Sequence, residues 1–182
     1  MSHPLIIVFR NSLHSLGAVL GLSLLLGPMS SLAATTPTYL VQMKVTGSFG
    51  IVSCGSYSIF TGSTPSPTTY CAQFIGNVNT TAVAGSQVAY LVSPKSTGTF
   101  GIVSCGGLAV ITGSVPDPNS YCSQLIGYPY ASPVAGSTAT YLACPLVTGN
   151  FGIVSCSGAY QIIKGTAPNP SSYQSWLIGY TN

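Results

Sequence analysis

The hexapeptide Phe-Gly-Ile-Val-Ser-Cys occurs three times, beginning at Phe49, Phe100 and Phe151, a step of 51 residues each time. A fixed period of this length is the signature of a repeat architecture, in which one unit cannot bury its apolar face alone and several pack together. The period divides the chain into units 39–89, 90–140 and 141–182. Each unit opens with a Tyr-Leu pair: Tyr39-Leu40, Tyr90-Leu91 and Tyr141-Leu142. Each carries Thr-Gly shortly before the hexapeptide, at Thr46-Gly47, Thr97-Gly98 and Thr148-Gly149.

An extended apolar segment, a glycine break and a second apolar segment predict a β-hairpin in every unit. Strand alternation places Phe100, Ile102 and Ser104 on one face and Gly101, Val103 and Cys105 on the other. A third short strand is expected at Tyr57-Ser58-Ile59-Phe60, Leu108-Ala109-Val110-Ile111 and Tyr160-Gln161-Ile162-Ile163. The last of these follows a one-residue insertion, which flips the strand faces unless a bulge or turn absorbs it.

After the third strand the sequence carries helix signals. In the second unit Asp117 suits an N-cap, Pro118 the first helical position and Gly127 the residue past the end. Tyr121 and Leu125 stand four apart, as do Cys122 and Ile126, which gives one apolar stripe. Ser66-Pro67 with Gly76, and Asn169-Pro170 with Gly179, repeat the pattern, and the alternative reading of each stretch is a strand after a Pro-rich turn. Joints 77–89 and 128–140 read as loops. The expected fold is therefore mainly β (α+β): three tandem 51-residue ββ(β)α repeats, stapled by disulfides.

Residues 1–33 read as a secretory signal peptide. Arg10 is followed by an apolar run over residues 16–27 and then by small residues ending Ala33-Ala34, which predicts cleavage after Ala33. Membrane spanning takes about 20 continuous apolar residues, and Arg10, Asn11, His14 and Pro28 interrupt this stretch. The remaining residues 34–182 are expected to form one domain with no membrane span, secreted to a periplasm, a cell surface or the extracellular space.

Charge is almost absent. Only 3% of residues are charged, against about 25% in an average soluble domain. Beyond residue 33 the chain holds Lys44, Lys95, Lys164 and Asp117, with no Glu, Arg or His. Eleven Tyr and five Phe in the same stretch nonetheless supply material for a core. No basic patch is present to neutralise phosphates, so nucleic-acid binding is disfavoured. A Ser-His-Asp or Cys-His device lacks its base, and one Asp cannot form a glycosidase carboxylate pair. Metal ligands of the usual kinds are missing, and no cofactor is implied. The expectation is a non-enzymatic protein.

The six cysteines of a secreted chain allow fifteen pairings. The repeat suggests a local set, Cys54–Cys71, Cys105–Cys122 and Cys144–Cys156. A rival set links neighbouring units: Cys71–Cys105, Cys122–Cys156 and Cys54–Cys144. No Cys-x-x-Cys and no nearby cation point to a redox-active thiol. Asp117 reads as a cap, and Lys44 and Lys95 as solvated strand or edge residues that discourage sheet-edge pairing. Asn79-Thr80-Thr81 has the form of an N-glycosylation acceptor. Tyr128, Tyr130 and Tyr180, set among Asn, Ser and Gly, are candidate ligand contacts of the adaptable kind found in binding loops.

Three units of about 50 residues also resemble the size and symmetry of a β-trefoil, the alternative fold. Gln174-Ser175-Trp176 resembles the Gln-x-Trp motif of ricin-type trefoil lectins. It covers three residues of one unit, and the equivalent stretches, Cys71-Ala72-Gln73 and Cys122-Ser123-Gln124, lack it. No binding residue is carried over. The expected function is a secreted structural or cell-surface-associated repeat protein, with itself or a glycan or protein surface as partner, because near-zero charge favours association. The alternative is an extracellular carbohydrate- or protein-binding module.

Overall fold

A computed structural model describes residues 34–50, 52–98 and 103–182. The expected signal peptide, residues 1–33, and the faces expected for Phe100, Gly101 and Ile102 lie outside the described residues. Among those described, the chain forms eleven strands: β1 (Thr35–Thr46), β2 (Val52–Thr61), β3 (Tyr70–Asn79), β4 (Ala89–Thr97), β5 (Val103–Cys105), β6 (Ala109–Thr112), β7 (Tyr121–Gly127), β8 (Thr138–Thr148), β9 (Val154–Cys156), β10 (Gln161–Lys164) and β11 (Tyr173–Thr181). The protein is mainly β, built from three small antiparallel sheets with three disulfides.

In every sheet the strand that begins near the Tyr-Leu pair is central. β1 lies between β2 and β3; β4 pairs β5 and β6 on one side and β7 on the other; β8 pairs β9 and β10 on one side and β11 on the other. The hexapeptide strand and the third strand share one edge of the central strand. In the first sheet they fuse into the single strand β2, with a register shift between Gln42 and Lys44. The inserted residue of the third unit is absorbed in loop 157–160. Ile162 still pairs with Leu142, as Val110 pairs with Leu91 and Ile59 with Leu40.

The expected helices are strands. Asp117 does begin a turn: its carboxylate accepts from the Asn119 N–H at 2.9 Å and the Ser120 hydroxyl at 2.7 Å. The Ser120 and Tyr121 N–H groups donate to the Asp117 carbonyl, and the chain then runs straight into β7. Asn169 starts β11 in the same way, taking the Ser171 N–H at 2.9 Å. A helix of two turns is marginal by itself, whereas a strand here satisfies its own backbone groups and those of the central strand together.

The glycines read as helix ends are the second residues of β-bulges. Tyr39 pairs with Phe74 and Thr38 with Gly76, so Ile75 is passed over. Ile126 is passed over between Leu125 and Gly127, and Ile178 between Leu177 and Gly179. A bulge re-aims the extra side chain, and all three isoleucines are 1–2% exposed in the common core with Leu40, Leu91 and Leu142. Each such side chain contributes about 1.5–3 kcal/mol by leaving water.

The three residues after each bulge glycine tie the sheets together. The Tyr128 N–H donates to the Asn79 carbonyl at 3.0 Å. Tyr130 and Tyr180 exchange both backbone bonds, at 3.0 and 2.9 Å. Asn77 N–H donates to the Asn182 carbonyl at 2.7 Å, and the return bond is 3.4 Å. The bonds thus run from the first sheet to the second, to the third and back to the first. The middle residues of the triplets, Val78, Pro129 and Thr181, are buried in this belt.

Candidate functional site

The disulfides lie at the roots of the hairpins. Cys54 and Cys71 belong to the two strands that flank β1, and Cys105 and Cys122 to the two that flank β4. In the third sheet Gln174 occupies the position opposite Cys144, and Cys144 bonds to Cys156 across the arms of the β8–β9 hairpin. The local pairing is the one present, and every cysteine is bonded.

Beneath these bridges three register-equivalent residues converge. Tyr57, Leu108 and Tyr160 each stand two residues before the partner of the core leucine of their own sheet. The Tyr57 hydroxyl takes the Tyr160 N–H at 2.8 Å and donates to the Tyr160 carbonyl at 3.1 Å. The two rings meet edge to face, 5.5 Å between centroids. Burial raises the Tyr57 phenol above its ordinary value, and the bond to Tyr160 opposes that shift. The Tyr160 hydroxyl accepts the Leu108 N–H at 2.6 Å.

A second set of equivalent residues, Gln73, Gln124 and Trp176, sits opposite Leu40, Leu91 and Leu142. Gln73 clamps the third sheet, accepting the Ile162 N–H at 2.7 Å and donating to the Tyr160 carbonyl at 3.1 Å. Gln124 clamps the first sheet by accepting the Ile59 N–H at 2.8 Å. Trp176 replaces the amide with a ring, and it packs 6.3 Å from Tyr160. Trp176 of the lectin-like motif is therefore engaged in the core.

A cavity of about 660 Å³ opens among these residues, lined by Tyr57, Leu108, Tyr160, Gln124, Ser56 and Ser93 together with Cys105 and Cys122. No Asp, Glu, Lys or Arg lines it. Among the described residues no cluster of His, Cys, Asp or Glu is arranged to hold a metal ion.

The hairpin tips carry a different chemistry. At the third tip Phe151 is 100% exposed, with Ile153, Val154 and Val147 also exposed. Phe151 holds a left-handed conformation, φ 66°, the sole non-glycine residue to do so among those described.

The residues singled out from the sequence are spread over both regions. Tyr128, Tyr130 and Tyr180 lie in the inter-sheet belt, half-buried, with Tyr130 and Tyr180 brought together by their backbones. Lys44 and Lys95 sit on central strands and donate to the Pro67 and Pro118 carbonyls, both at 2.6 Å, so they pin turns. Asn79 is 3% exposed and its amide donates to the Tyr128 carbonyl at 2.8 Å, so a glycan there is incompatible with the folded belt. Lys164 stands 4.4 Å above the Phe74 ring, and burial lowers its ammonium below the ordinary value.

Sequence reasoning aligned Tyr57, Leu108 and Tyr160 as strand starts but missed that they meet. The available signal was one aliphatic residue among two tyrosines at equivalent places. Among the described residues no helix is long and apolar enough to cross a membrane. No protein-family model, curated protein or solved structure matches the chain.

Proposed function

We propose that the chain is a secreted, non-enzymatic structural or surface-associated protein, three 51-residue repeats closed into one ring, that self-associates through its hairpin tips. One observation carries this reading. The third tip presents Phe151, Ile153 and Val154 to solvent, and the same hexapeptide recurs at Phe49 and Phe100. An exposed ring in a strained conformation does nothing for packing within its own chain, whereas contiguous exposed apolar groups mark an interaction surface. A surface with almost no charge adds little repulsion between copies. Three disulfides and the signal-like residues 1–33 support secretion. Scarcity of acid-base groups supports a role without catalysis.

Sedimentation velocity on residues 34–182 tests this. The reading expects concentration-dependent assembly that is lost when Phe49, Phe100 and Phe151 are all changed to Ser. A monomer at every concentration, or assembly indifferent to the triple change, removes the hairpin-association role. The second reading, an extracellular carbohydrate- or protein-binding module, is favoured by the cavity between the sheets.

A further inference from the structure

The cycle of hydroxyl contacts beneath the disulfides is open at one of its three links. Tyr57 reaches the backbone of Tyr160, and Tyr160 reaches the backbone of Leu108. The third link runs from position 108 toward Tyr57, and leucine has neither the ring nor the hydroxyl to make it. The clamping amides differ in the same way. Gln73 uses both ends of its amide, on Ile162 and Tyr160. Gln124 uses its oxygen on Ile59, which leaves its NH₂ to donate elsewhere. The cavity of about 660 Å³ lies at this interruption, with Leu108, Tyr57 and Gln124 in its wall.

We infer that this cavity is a binding site for a small, uncharged, hydroxylated ligand of the monosaccharide class. Three features of the wall select that chemistry. Leu91, Leu108 and the Cys105–Cys122 bridge form an apolar side, suited to the C–H face of a sugar ring. Ser56, Ser93, Ser123 and Gln124 supply hydroxyls and an amide, and the Tyr160 hydroxyl, having accepted from Leu108, retains its proton to donate. No formal charge lines the cavity. An ionised ligand would lose water without meeting a counter-charge, which is strongly unfavourable. A purely apolar ligand would cover the hydroxyls and leave them unpaired. The volume falls within the ~300–1,000 Å³ of ordinary ligand pockets.

The inference rests on the binding-module reading, and its test separates the two. The probes are glucose, galactose, mannose and N-acetylglucosamine, with glucuronate as a charged control, titrated against residues 34–182 by calorimetry and saturation-transfer NMR. At least one neutral sugar is expected to bind and glucuronate to bind at least about tenfold more weakly. Leu108→Tyr places a ring in the cavity and a hydroxyl at the missing link. It is expected to weaken sugar binding by about tenfold or more without lowering the thermal midpoint. Ser93→Val and Ser123→Val, which leave the ring positions and the glutamine clamps untouched, serve as well if Leu108→Tyr fails to fold. Sugar binding that survives all these changes keeps the module reading and overturns this site. Binding of none of the four sugars, or tighter binding of glucuronate, overturns the ligand class. Capture of a protein partner by an otherwise sugar-indifferent chain overturns the inference in favour of the protein-binding form of the module.

Discussion

The hydroxyl of Tyr57 holds the backbone of Tyr160 from both sides, taking its N–H at 2.8 Å and returning a proton to its carbonyl at 3.1 Å. The residues are 103 positions apart, so one phenol fastens the first sheet to the third. Tyr57→Phe keeps the ring contact and removes both bonds, leaving the Tyr160 N–H without that partner. A loss of about 1–3 kcal/mol is expected, read from urea unfolding. A change within about 0.5 kcal/mol, typical of an inconsequential surface substitution, would show that the clamp contributes little.

The bulge glycines differ from the loop glycines in what surrounds them. A Cβ at Gly127, φ 134°, would lie 2.6 Å from Val78 Cγ1, and one at Gly179 would lie 2.8 Å from Pro129 Cβ. Gly85 also has positive φ, 78°, but nothing lies within 4 Å of its Cβ position. Gly85→Ala is expected to cost about 1–2 kcal/mol from backbone conformation alone. Gly127→Ala adds overpacking, for about 2–5 kcal/mol in total. Equal effects in thermal unfolding would refute the role assigned to the belt.

Phe151 combines full exposure with φ 66°. Phe151→Gly removes the left-handed penalty and loses no buried area. Unfolding free energy is expected to hold or to rise by up to about 1 kcal/mol, while sedimentation shows weaker assembly. Destabilisation by more than about 1 kcal/mol would mean that the ring packs within its own chain.

Stability should vary little with pH over most of the range, because residues 34–182 contain no His and no Glu. The Asn119 N–H and then the Ser120 hydroxyl hold Asp117 below its ordinary carboxylate value of 3.8. A depressed folded value contributes stability above the unfolded value and loses it as pH falls through the folded one. Tyr57 has the opposite sense. Burial raises it above 10.0, so its contribution is complete below that pH and disappears as pH rises through the folded value. Lys164, lowered by burial from 10.5, is charged at a cost that fades as pH rises through its folded value. Denaturation midpoints are expected to be flat from about pH 5 to 9. A slope within that window would expose a titrating group outside this set.

Part of the architecture is legible in the sequence. Extended apolar segments marked a mainly β chain, and the Gly-centred breaks marked the hairpins β1–β2, β4–β5 and β8–β9. The disulfide partners were narrowed by a compensating exchange, in which Gln174 stands where the other units have cysteine and Cys144 appears nearby. The helix signals misled because their residues have two uses. Asp117-Pro118 starts one turn equally well before a helix or a strand, and Ile126-Gly127 serves a helix end or a β-bulge. The open edge of β4 decided between them, by offering backbone partners that a short helix forgoes. Local preference could not register that edge, because the strand offering it lies some thirty residues earlier in the chain.

The sequence by itself determined the period, the chemistry that is absent and the apolar residues available to a core. Tertiary structure alone decided that the triplets after the bulge glycines join the third sheet back to the first, through Asn182 and Asn77. It also decided that Tyr57, Leu108 and Tyr160 meet beneath the disulfides around a cavity. The physical reason is that a repeat encodes the contacts within a unit, while an opening between units arises where equivalent positions carry unequal side chains, and that inequality acquires a location only when the sheets face one another.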